Sequence, residues 1–184
     1  TSGTVYLINS GDTPERIEVE RLLDNSECIA FEAVPQESWR EGLNAPSFDR
    51  ARNRVTHLIV HHTAGSNRNT NYTQVVRDIY LLHTEVNQWS DIGYNFLVAQ
   101  DGTIYEGRDP GDDLTEFEVR GAHFCAKNTG VMGIAMLGNF ETASPEPEAL
   151  TSLNKVLAAA AEEFSIQVDT SSNHRGTVLT HIAG

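Results

Sequence analysis

Two stretches, VTHLIVHH at 55–62 and VMGIAMLGNF at 131–140, run through branched and apolar residues with little polar interruption. A strand with one wet face alternates apolar and polar side chains, so runs of this kind belong inside a sheet covered on both sides. The chain must therefore supply helices as cover, and it does. NYTQVVRDIYLLHTEV sets Val75, Val76, Ile79 and Leu82 at helical spacing, with Thr70 or Asn71 as N-cap. A second helix opens at Ser144-Pro145 and aligns Leu150, Leu153, Leu157, Ala161 and Phe164 on one face. These patterns predict helices near 72–84 and 147–164.

Between the helices, YNFLVAQDGTIYEGR reads as a hairpin turning at Asp101-Gly102. GTVLTHIAG, at the end of the chain, reads as one last strand. The order β–α–β–β–β–α–β describes a mixed α/β fold, a central mixed sheet of five or six strands flanked by helices. The sharp patterning begins at Val55. Residues 1–54 read as an N-terminal extension, or the end of a preceding domain plus linker, lying outside the core, and residues 55–184 as the domain proper.

The formal net charge is −13, from 26 acidic and 13 basic residues. That balance argues against a nucleic-acid partner, whose phosphates require a basic face. No run reaches the roughly 18 apolar residues of a membrane span. Cys28 and Cys125 fit no metal motif; they pair, stay free, or pair elsewhere.

The seven histidines carry the chemistry. His57 and His61 share a strand face but stand about 13 Å apart on it, too far to share an ion. His61 and His62 face opposite sides, so one of them at most reaches a given site. His57, His174 and His181 read as hydrogen-bonded fillers. His83, near a helix C-terminus, is favoured there by the helix dipole alone. His123, in GAHFCAKN, either lines a groove or satisfies backbone groups.

The blocks IVHHTAG, WSDIGYNFLVAQDGTIYEGR and GAHFCAKNTGVMGIAMLGNF, in this order, resemble the zinc-dependent type 2 N-acetylmuramoyl-L-alanine amidases and the peptidoglycan recognition proteins of the same superfamily. The likeness is greatest to secreted bacterial members, particularly those of Bacteroidetes. It runs from Val55 to Gly184 and implies a groove at the rim of a mixed sheet. The partner it implies is peptidoglycan, with muropeptides as ligands, and the location is secreted or periplasmic. It implies hydrolysis of the amide between N-acetylmuramic acid and L-alanine, or, as the alternative, binding without cleavage.

By the same resemblance His61 is the first Zn2+ ligand, and the remaining ligands belong to a block expected past Gly184. His174, in NHR, mimics the start of that block but is followed by the strand that should precede it. Tyr94 matches the family tyrosine close to the metal, a hydrogen-bond donor to bound water or a developing oxyanion. Asp91 and Trp89 are expected to build the turn that positions Tyr94. His83, Arg108, His123 and Asn128 are candidate substrate-binding residues, each with a structural role as the alternative. A zinc ion with three protein ligands keeps a fourth position for water and lowers its pKa towards neutrality, the chemistry that amide hydrolysis needs.

Overall fold

In the computed structural model, residues 30–47 and 50–184 are described in full, together with the backbone of Gly3–Tyr6 and Arg16–Val19. The latter two segments, β1 and β2, pair antiparallel. They are followed by a single helical turn, α1 (Gln36–Trp39). The main unit then runs β3 (His57–His62), α2 (Tyr72–Leu81), β4 (Phe96–Val98), β5 (Ile104–Glu106), β6 (Val131–Met136), α3 (Pro147–Glu163), β7 (Ser171–His174), β8 (Thr177–Thr180) and β9 (Ile182–Ala183).

Five strands form the central sheet in the order β5-β4-β6-β3-β9. β3 lies parallel to both β6 and β9, β4 parallel to β6, and β5 antiparallel to β4, so the sheet is mixed. The two apolar runs are its two central strands, as their patterning requires. Every residue of β6 is buried.

Alternation sorts the side chains onto two faces. Leu58, Val60, Met132, Ile134 and Met136 pack against Leu153, Val156 and Leu157 of α3. The opposite face carries Leu97, Ala135 and Leu137, covered by Val76 and Tyr80 of α2. His61, in register with Ala135, belongs to this second face.

Local chemistry fixes the ends. The Asn71 side chain accepts a hydrogen bond from the Gln74 N–H at 3.2 Å and caps α2. The β4–β5 hairpin closes through Gly102, whose φ of +84° supplies the left-handed residue that a turn of this length needs. α3 starts at Pro147, with proline in its first turn, rather than at Ser144-Pro145. Its buried stripe is Ala149, Ser152, Leu153, Val156, Leu157 and Ala160. Leu150 and Phe164 are only partly buried and pack against the core beside this stripe.

Two expectations are corrected. GTVLTHIAG is not one strand: it divides into β8, which pairs with β7 in a separate hairpin, and β9, which alone joins the sheet. Arg175 and Gly176, at φ +47° and +89°, make the tight β7–β8 turn. The second correction concerns residues 30–53, which contribute to the core instead of lying outside it. Trp39 is 1% exposed and stacks edge-on against Tyr80, with ring centroids 5.7 Å apart. Val34 bridges to Tyr105, and buried Asn53 donates to the Val131 carbonyl at 2.8 Å. Cys28 lies outside the described residues, so its pairing does too; Cys125 is exposed.

Candidate functional site

β3 ends in two imidazoles that leave the sheet on opposite sides. His62 turns to the α3 side, accepts the Phe140 N–H on Nδ1 at 3.0 Å, and packs near the Phe140 ring. His61 turns to the α2 side. There its Nε2 lies 2.9 Å from Nδ1 of His123, one nitrogen donating and the other accepting.

His123 reaches this point because three features place it. The Ala122 N–H donates to the Gly93 carbonyl at 2.8 Å. The Asn128 side-chain oxygen accepts from the N–H groups of both His123 and Phe124, each at 2.8 Å. Beneath the ring lies Gly133 of β6, where a Cβ would stand 2.4 Å from the imidazole. The glycine inside an otherwise apolar strand is the gap into which His123 fits. Asn128 therefore acts through His123: its oxygen is spent on the turn.

Tyr94 completes the near wall. Its ring centroid is 5.6 Å from that of His61, 5.7 Å from His83 and 6.5 Å from His123. His83 sits in a π-helical turn, Leu82–Val86, that extends α2. Such turns re-aim side chains at functional positions. The His83 Nδ1 accepts the Gly93 N–H at 3.1 Å, and the ring lies against Trp89 with centroids 4.5 Å apart. Four sequence-predicted site residues, His61, Tyr94, His83 and His123, thus converge.

Arg108 is drawn inward instead. Its Nε donates to the Ile92 carbonyl at 3.0 Å and its Nη1 to that of Arg120 at 3.4 Å. Asp91, fully buried, accepts from the Ile92 N–H at 2.6 Å, the Asp109 N–H at 2.9 Å and the Gln36 amide at 3.1 Å. These contacts make the turn below Tyr94, the role expected of Asp91. The Gln36 contribution comes from far away in sequence, with no local pattern to announce it.

Burial sets the protonation states. It holds His61 down to about 4, with the neighbouring His62 adding to the effect. Burial likewise lowers His123 to about 3 and His83 to about 4, each helped by the Arg108 charge. The Tyr94 phenol is pushed up by burial. At neutral pH the site therefore presents neutral imidazoles and a protonated phenol. Asp91, desolvated, rises to about 6.

On the same face, beyond the end of β3, a cavity of about 250 Å³ opens between α2 and the 63–69 loop. Thr63, Asn67, Tyr72, Val75, Ile79 and Leu137 are among its lining residues. Leu82, Val86 and Trp89 stand exposed along α2 and the turn that follows it.

Residues 51–183 match the N-acetylmuramoyl-L-alanine amidase family. The chain belongs to this family. Peptidoglycan-recognition protein SC2 of Drosophila melanogaster is 32% identical over 135 residues, spanning 72% of this chain and 69% of that protein. The crystal structure of Drosophila peptidoglycan recognition protein SD matches with a TM-score of 0.64 at 27% identity, covering 75% of this chain and 79% of that one. The human protein PGRP-IBETAC, in complex with glycosamyl muramyl pentapeptide, matches with a TM-score of 0.62 at 29% identity, covering 73% and 78%.

Membership in an amidase family raises the question of zinc. His61 and His123 offer two imidazole nitrogens facing each other, but no third histidine, cysteine or acidic side chain joins them: the described residues contain no group of three that could hold a metal ion. A catalytic zinc needs three protein ligands. The described residues do not meet that requirement. The described helices include none long and apolar enough to cross a membrane.

Proposed function

We propose that this domain binds the muropeptide unit of peptidoglycan in the groove over His61, Tyr94, His83 and His123. One observation carries the reading: three imidazoles and a phenol from four separate segments converge at the end of β3 on one sheet face, beside a cavity. Muropeptides present amides, hydroxyls and carboxylates. Neutral imidazoles and a protonated phenol hydrogen-bond to such groups without requiring a counter-charge. The human relative's complex with a glycosamyl muramyl pentapeptide supports the choice of ligand. A cell-wall ligand places the domain's work at the cell envelope, in a secreted or periplasmic protein.

The test is titration of the protein with a soluble muropeptide, followed by calorimetry and by histidine NMR signals. Saturable binding that shifts the His61 and His123 resonances is expected. Saturable binding that leaves both unmoved would place the ligand elsewhere, and no binding at millimolar ligand would end the proposal.

A second reading, zinc-dependent cleavage of the N-acetylmuramoyl-L-alanine amide, is favoured by Tyr94 beside His61. In the described residues, the one hydrogen-bond partner of the His61 ring is another imidazole. Cleavage requires a further donor to the ion. Zinc content measured on the purified protein, together with release of L-alanine-terminated peptides with and without chelator, decides between the readings. Chelator-sensitive release establishes the amidase; binding without release leaves recognition.

A further inference from the structure

Tyr94, His83 and His123 take their places from one short segment, residues 91–95. The Gly93 N–H donates to Nδ1 of His83 at 3.1 Å. The Gly93 carbonyl accepts from the Ala122 N–H, one residue before His123, at 2.8 Å. Tyr94 lies in the segment itself. Whatever fixes residues 91–95 therefore fixes three of the rings that meet in the groove.

Two backings hold the segment. Along its far half runs the continuation of β5: the Arg108 N–H donates to the Tyr94 carbonyl and the Gly107 N–H to the Asn95 carbonyl, both at 2.8 Å. The approach is so close that a Cβ on Gly107 would stand 2.1 Å from the Tyr94 carbonyl oxygen. At its start, the Asp91 carboxylate accepts the N–H groups of Ile92 and Asp109.

One side chain joins these backings. Nε2 of Gln36 donates to the Gly107 carbonyl at 2.7 Å and to the Asp91 carboxylate at 3.1 Å. Both partners are oxygens engaged as acceptors, so the amide has one orientation, with its own oxygen accepting from Nε of Arg40 at 3.1 Å. Gln36 is 5% exposed and Asp91 wholly buried, so bulk water does not compete for these bonds.

Gln36 is anchored from outside residues 51–183, which match the family. Its backbone N–H donates to the Glu106 carboxylate at 3.0 Å, and the Trp39 indole N–H donates to the Glu106 carbonyl at 2.8 Å. Just before it, Val34 lies along β5: its N–H donates to the Ile104 carbonyl at 2.8 Å, and its carbonyl accepts from the Glu106 N–H at 3.0 Å. The side chain is thus set in place by the segment that carries it.

We propose that Gln36 is a positioning residue for the groove. By joining Asp91 to Gly107, its amide holds residues 91–95 in the arrangement that brings Tyr94, His83 and His123 together. The ligand in this proposal rests on the muropeptide reading above; the geometry does not. Without the amide the segment relaxes, and affinity falls with the fraction of molecules whose site stays assembled. If about one molecule in ten keeps it, binding weakens about tenfold.

Two variants of the full chain test this. Gln36→Met keeps the length and bulk of the side chain and removes both bonds. Gln36→Glu keeps its shape and turns an acceptor towards Asp91. Affinity for a soluble muropeptide is measured by calorimetry, and the His83 ring-nitrogen and Tyr94 ring NMR signals are recorded without ligand, at a temperature where circular dichroism shows each protein folded. Affinity is expected to fall about tenfold in Gln36→Met and further in Gln36→Glu, with the ligand-free His83 and Tyr94 signals moved. Lower stability with affinity and both signals unchanged would overturn the proposal and leave Gln36 as packing. If the wild type binds no muropeptide, the muropeptide reading fails by itself, and the ligand-free signals alone decide on Gln36. If neither variant folds, the wild type decides through reciprocity: a ligand held by the assembled site must slow exchange of the Gln36 side-chain amide protons. Exchange unchanged by saturating muropeptide would overturn the proposal.

Discussion

Gly133 and His123 are complementary across van der Waals distance: the hydrogen on one is the space occupied by the other, since a Cβ on Gly133 would stand 2.4 Å from the imidazole. The first prediction follows directly. Gly133→Ala should displace His123 from His61 and weaken muropeptide binding by tenfold or more, about 1.4 kcal/mol. The strand should survive, since alanine suits it at least as well as glycine. Binding at wild-type affinity, with the His61 and His123 signals unmoved, would show that the ring has room to spare.

The His61–His123 pair also predicts a response to acid. Both imidazoles are held far below the ordinary value of 6.5, His61 at about 4 and His123 at about 3. Between pH 6.5 and 4 the unfolded chain takes up protons that the folded site refuses, so folding stability falls as pH falls through that window. The thermal midpoint should drop on acidification from pH 7.5 to 5. In His61→Gln the drop should be shallower. Equal slopes in wild type and variant would mean that these rings are not desolvated in the folded protein.

What the sequence disclosed depended on how local each signal was. β3, β6, both helices and the Asp101-Gly102 hairpin are written in runs of neighbouring residues, and the structure has them. His61 and Tyr94 stood in recognisable blocks and do come together. The β7–β8 hairpin was hidden because Arg175-Gly176 is a less familiar pair than Asn-Gly for a tight turn, though the glycine was there to be read. Gln36 and Trp39 could not be read at all. Their partners lie tens of residues away, and only the folded topology brings them together.

Trp39 supplies the next prediction. Its side chain is buried against Tyr80, and its indole N–H donates to the Glu106 carbonyl at 2.8 Å. Trp39→Ala should cost about 3–5 kcal/mol, the usual range for emptying a large aromatic site. A chain begun at Val55 should be destabilised at least as much, because it also loses Gln36 and Asn53. Denaturant unfolding measures both, and a truncated chain as stable as the full one would show that residues 30–53 are dispensable.

Asp91 should behave in the opposite sense from the histidines. Burial raises it to about 6, so its carboxyl favours the folded state below its unfolded pKa of about 3.8, and that contribution is lost as pH rises through 6. Asp91→Asn removes the titration but turns an amide N–H₂ towards the Ile92, Asp109 and Gln36 donors. One donor is then left unpaired, at a cost of about 1–3 kcal/mol. The variant should therefore be less stable at pH 5 and lose this opposing pH dependence. A variant as stable as wild type at both pH 5 and pH 7.5 would mean that water replaces the lost acceptor.

Tyr94 separates the two functional readings in a single substitution. Its hydroxyl is kept protonated by burial, and its ring is packed among His61, His83 and His123, so Tyr94→Phe should leave the site's shape intact. If the groove only binds, removing one neutral hydrogen bond weakens muropeptide affinity by roughly 0.5–1.5 kcal/mol, about 2- to 12-fold. If the groove cleaves, the lost donor acts on charge that develops only in the transition state, so turnover should fall by about 10²-fold or more while affinity changes little. Measuring both quantities on one preparation distinguishes the readings, because the loss appears in binding in one case and in rate in the other. A variant unchanged in both would remove Tyr94 from the site's chemistry and leave it as packing between the three imidazoles.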